Sequence, residues 1–147
     1  MPATTLDLIE AAFRAAIEAM TPRTVASQAT RPWKFYEGEH LPRSDARWFK
    51  FDWDSDGYTP DGFMGPAMVD TQVTLSLAVD YGGIPEHQIK RIAEDDLYQL
   101  RDVLNRLKST LDGFRWLEAI DWDFANADRN QARITHQFLV RYMKARA

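Results

Sequence analysis

The chain carries 18 basic and 22 acidic residues in 147, a formal charge of -4, which argues against gripping a nucleic-acid backbone over a broad surface. It has no cysteine, which excludes a disulfide framework, thiolate metal sites and a cysteine nucleophile. No apolar run approaches the roughly 20 residues needed to span a bilayer, and Met1-Pro2-Ala3-Thr4-Thr5 lacks the basic start and apolar core of a signal peptide, so the chain reads as neither inserted nor exported.

A chain of this length buries roughly 70% of its unfolded surface, enough for one ordinary core, and residues 1–147 read as a single domain. Aromatics make up 12% of it, a high share that suits contact with other proteins. The first helix reads from Thr5 to Met20, with Leu6, Ile9, Phe13, Ala16, Ile17 and Met20 on one face. Thr4 or Thr5 caps it, Asp7 favours its first turn, and Thr21-Pro22 stops it. From Pro22 to Ala46 periodicity is lost in a long excursion holding a short extended piece at Trp33–Tyr36. Its three aromatics, Trp33, Phe35 and Tyr36, suggest that it orders against a partner or a neighbouring subunit.

Arg47–Trp53 is a strand with Phe49, Phe51 and Trp53 on one face, followed by an irregular Gly- and Pro-rich stretch from Asp54 to Met68. Val69 to Tyr81 alternates apolar and polar residues throughout, a strand so long that part of it is expected to project beyond the core. After Gly82-Gly83, Pro85 opens an amphipathic helix running to Leu111, with Ile89, Ile92, Ala93, Leu97, Leu100, Leu104, Leu107 and Leu111 on its apolar face. Two strands, Phe114–Phe124 and Gln131–Lys144, then form a hairpin across the polar turn Ala125–Asn130. The expectation is an α+β fold: an antiparallel sheet of about four strands with two helices packed on it, ordered α-β-β-α-β-β.

The most motif-like string, Asp52-Trp53-Asp54-Ser55-Asp56-Gly57, matches the opening of a calcium loop. Its twelfth position is Phe63 where a bidentate Glu belongs, so it reads as a solvated acidic turn. His40, His87 and His136 have no spacing that puts two ligands on one face, and His136 reads as a hydrogen-bonded member of a strand face. Asp121 and Asp123 share strand parity and face solvent or the lumen of an assembly rather than a substrate. The basic residues Arg133, Arg141, Lys144 and Arg146 read as a solvated end. No phosphate loop, nucleophile elbow or Ser/His/Asp spacing is present, so no catalytic, metal or cofactor site is assigned.

The order of elements resembles the tail terminator proteins of long-tailed bacteriophages. The cues are the amphipathic helix Leu6–Met20, the aromatic-ended strand, the long alternating strand ending in Asp80-Tyr81, and the helix Pro85–Leu111. An Asp/Asn-rich turn then leads into a strand ending in Val140-Arg141-Tyr142. Residues 22–46 look long for that family. The resemblance implies a non-enzymatic virion protein of the tail neck, assembled in the host cytoplasm. Six copies would form a ring between head connector and tail tube, end tube polymerisation and let DNA pass without specific binding. Trp33, Phe35, Tyr36, Tyr58 and Phe63 would supply subunit or tube contacts. The alternatives are another neck or baseplate subunit, the cap of a contractile injection machine, or a small α+β enzyme or ligand-binding domain.

Overall fold

A computed structural model describes residues 4–21, 31–36, 46–53, 68–81, 86–128 and 131–145. The fold is α+β: two helices and one five-stranded mixed sheet. Helix α1 (Leu6–Glu18) is capped by Thr5, whose hydroxyl accepts the Leu8 amide, and buries Ile9, Phe13 and Ile17. The spacing of these three residues by four is what turns one face of the helix to the core.

Strands β1 (Trp33–Phe35), β2 (Arg47–Trp53) and β3 (Met68–Asp80) come next, then helix α2 (Glu86–Arg106), a single 3-10 turn over Leu107–Ser109, and the long strands β4 (Phe114–Asp128) and β5 (Gln131–Ala145). Gly113, at φ 87°, turns the chain into β4, a conformation a side chain would disfavour. The sheet order is β1-β2-β3-β5-β4. The segment Trp33–Phe35 lies parallel to β2, so the expected four-stranded antiparallel sheet is instead five-stranded and mixed, in the order α-β-β-β-α-β-β. A three-residue strand is too short for alternation to reveal it as a sheet member; its Trp and Phe fix it by burial.

β3 runs past β2, which among the described residues pairs with it only from Leu75 to Val79. All thirteen of its residues pair with β5, from Met68 opposite Ala145 to Asp80 opposite Arg133. The β4–β5 hairpin is also longer than expected, because β4 continues to Asp128 and leaves a tighter turn.

Both helices lie on one side of the sheet. The core between them and the strands joins Ile9, Phe13 and Ile17 of α1, Ile89, Ile92, Leu100 and Leu104 of α2, and the inward residues of the strands, among them Phe49, Leu75, Leu77, Ile134 and Phe138. Phe13 stands edge-on to Phe114 at 5.4 Å and also touches Trp53, tying α1 to β2 and to the edge strand β4. On the other side no helix of the described residues covers the sheet. There Lys34, Trp48, Lys50, Thr74, Ser76, Thr135, Gln137 and Leu139 form a mixed polar and aromatic face.

Candidate functional site

Two places gather polar chemistry: a buried network near the start of β2, and a cleft between α2 and β5.

In the network, Arg47 opens β2 with its side chain turned inward and only 1% exposed. Its Nε donates to Oδ2 of Asp96 on α2 at 2.9 Å, and Nη1 donates to the Arg31 carbonyl at 2.5 Å. The guanidinium also lies 5.4 Å from the centre of the Trp33 ring. The Tyr81 hydroxyl donates to the same Asp96 oxygen at 2.6 Å. Burial lifts the Asp96 carboxyl above its ordinary range against the opposing pull of Arg47, and burial together with the Asp96 charge lifts the Tyr81 hydroxyl well above its own. Its side chains are buried and bonded to one another within the subunit, so it acts as a clamp joining β2, the end of β3 and α2. The sequence held a signal for it: Asp96 falls on the apolar stripe of α2, between Ile92 and Leu100 at four-residue spacing.

In the cleft, α2 contributes Lys90, Ala93, Glu94, Leu97, Tyr98 and Arg101, a stripe of three- and four-residue spacing, and β5 contributes His136. The cleft measures about 450 Å3. His136 lies mid-strand, between Leu77 of β3 and Trp122 of β4, on the helix side of the sheet. The strand parity of His136 was legible, but the expected hydrogen bond is not there. The ring is 1% exposed, and neither Nδ1 nor Nε2 has a hydrogen-bond partner. The Phe138 ring lies 6.4 Å from it. Burial pulls its pKa from 6.5 down to about 4, so the imidazole is neutral near pH 7.

That shift has a sign. Between pH 6.5 and about 4 the unfolded chain binds a proton that the folded chain refuses, so His136 removes stability as pH falls through this window and costs nothing above it. The loss expected from this residue is on the order of 3 kcal/mol at the acid end. Urea titrations of the parent and of His136→Phe at pH 7 and pH 4 check it: the variant should lose less stability on acidification, and equal losses in both proteins would refute the assignment.

The residues expected to meet partners are placed differently. Trp33 is buried against Phe49, and Tyr36 is buried beside Trp48, where its hydroxyl accepts from Arg133 Nη2 at 3.0 Å. Both are buried within the subunit. Phe35 is half-buried beneath the Arg14 guanidinium at 4.4 Å. Tyr58, Phe63, His40 and Arg146 lie outside the described residues, as does the calcium-like string after Trp53. His87 sits exposed in the first turn of α2 and does not approach His136's cleft. Asp121 is exposed on the uncovered side of β4, opposite Gln137, and Lys144 is exposed near the end of β5. Among the described residues no helix is long and apolar enough to cross a membrane, and no group of three or more acids and histidines converges as metal ligands do.

No family model matches the chain, and no curated protein matches it significantly.

Proposed function

We propose that this chain is a structural subunit that closes into a ring with copies of itself, in the manner of the phage tail terminators its element order resembles. In that role six copies would cap the tail tube beneath the head connector. The observation that carries the reading is a sheet that, among the described residues, no helix covers on one side and no further strand pairs along the β4 edge. β4 is the terminal strand of the sheet order over fifteen residues, and Ile120 on it is 53% exposed.

Asn105 of α2 caps this edge at Leu117, donating to its carbonyl and accepting its amide, and the remaining length invites pairing with another chain, since monomeric proteins ordinarily keep edge strands short or covered. Register shifts at Phe114/Trp116, Ala119/Asp121 and Asn126/Asp128 divide the edge into short stretches. Such bulges bend a strand and restrict where a partner can add, which suits a defined contact between copies better than open-ended stacking. Identical subunits meeting head-to-tail through unlike surfaces close a cycle when the rotation allows it.

Light scattering of the purified protein across a concentration series, with and without tail-tube protein, tests the proposal. A hexamer, or a monomer that becomes a ring on adding tube protein, is expected. Ile120→Asp should weaken that assembly and leave the melting temperature of the subunit within a few degrees. A monomer indifferent to tube protein would exclude the terminator role.

A further inference from the structure

The cleft between α2 and β5 has features that the ring reading does not use. A buried polar side chain ordinarily finds a partner, because leaving one unpaired costs about 1–3 kcal/mol. His136 lines this cleft, and its two ring nitrogens are buried and unpaired. A cleft of about 450 Å3 falls in the size range of small-molecule sites, and its other lining follows their usual plan. Ala93 and Leu97 supply apolar wall, and Tyr98 supplies a half-exposed ring. Lys90, Glu94 and Arg101 supply charge around it.

The chemistry of each part selects the ligand. A neutral imidazole offers one donor and one acceptor, and a hydroxyl suits either nitrogen because it both donates and accepts. A charged group at that end would lose its hydration without a counter-charge, so the buried end of the ligand must be neutral. Between the floor and the rim a flat apolar body fits against Leu97 and Tyr98. At the rim, Lys90 and Arg101 stand eleven residues apart, about 16 Å along the helix, so a ligand of this volume meets one of them. Lys90 lies one turn from Glu94, which competes for it. Arg101 is held over the Tyr98 ring at 5.9 Å, and a guanidinium offers the paired donors that match a carboxylate.

We propose that this cleft is a binding site for a small aromatic acid that carries a hydroxyl on its buried end, with the hydroxyl at His136 and the carboxylate at Arg101. The site lies on the helix side of the sheet and does not depend on ring formation.

The probe is 4-hydroxyphenylacetate, titrated into the full chain labelled with 15N and followed by amide and imidazole resonances. Saturable shifts at Ala93, Leu97 and His136 are expected, with a dissociation constant of about 0.1 mM, ordinary for so small a ligand. Movement of an imidazole 15N signal toward its hydrogen-bonded position should accompany them. Phenylacetate, which lacks the hydroxyl, is expected to bind about tenfold more weakly, as should 4-hydroxyphenylacetate to Arg101→Gln. His136→Phe keeps the shape of the floor without its nitrogens, and in that variant the two acids should bind alike. Equal affinity of both acids for the parent protein would overturn the proposal. So would shifts confined to residues outside the cleft, or no saturable shift at all.

Discussion

Replacing Arg47 by Ala is expected to cost about 3–5 kcal/mol of stability, a large part of what a domain of this size possesses. The cost comes from what is left behind. Asp96 is almost fully buried, and without the guanidinium its carboxyl keeps only the Tyr81 hydroxyl. The Arg31 carbonyl loses its donor as well, and the Trp33 ring loses the cation beside it. Asp96→Ala should be comparably damaging, since it strands a guanidinium in the core, and Asp96→Asn should recover little because an amide cannot neutralise Arg47. The informative contrast is the triple change Arg47→Met, Tyr81→Phe and Asp96→Leu. It removes all three polar groups together and should lie within about 2 kcal/mol of the parent, because an apolar replacement of a buried ion pair strands nothing. Chemical denaturation of the set decides the matter, and an Arg47→Ala cost below about 1 kcal/mol would show that the clamp is not holding the elements together.

Phe13→Ala is expected to be about as costly, at about 3–5 kcal/mol. Phe13 is fully buried on α1 and meets Trp53 of β2 and Phe114 of β4, so its removal opens a void where three elements converge. The rings around it are large and are held by further contacts, Trp53 by Phe51 and by Glu10, to which its indole nitrogen donates, and they have little room to collapse inward. Phe13→Leu should recover more than half the loss by refilling most of the volume. For a chain of this length the Ala variant should melt roughly 10 °C or more below the parent in calorimetry. The same residue pair also separates packing from charge: Arg14→Ala, one position along, breaks an exposed ion pair to Glu18 at 2.8 Å and a contact with Phe35, and should cost no more than about 1 kcal/mol.

Much of this architecture could be read from the chain. The period of Ile9, Phe13 and Ile17 gave α1 and its buried face, and the alternation from Val69 to Asp80 gave β3 and its inward residues, because each pattern repeats often enough to exclude the other period. β1 was legible only as a short extended piece. Three residues contain a single alternation, and the decision to pair in parallel with β2 is made by the burial of Trp33 and the amide of Arg47 donating to Pro32, neither of which is a local property. The burial of its aromatics was not legible for the same reason: a large ring in an irregular stretch is equally suited to a foreign surface and to the chain's own core, and here Trp33 and Tyr36 are buried within the subunit. In the cleft, strand parity was enough to put His136 on a buried face. Its lack of a partner depends on what α2 and the neighbouring strands bring opposite it, which no spacing within β5 records.

The strand order also bears on how the protein is made. β5 lies between β3 and β4, so of these five strands the one made after the others completes the middle of the sheet. On the ribosome, β2 and β3 can meet as soon as both have emerged, but β4 has no sheet to join until residues 131–145 arrive. Until then the inward residues of β3 and the apolar face of α2 have no β5 to cover them, at the rate of translation a wait of about a few seconds. A nascent chain halted before residue 131 would therefore leave these apolar surfaces uncovered, and this is the stage at which ribosome-associated chaperones would be most needed.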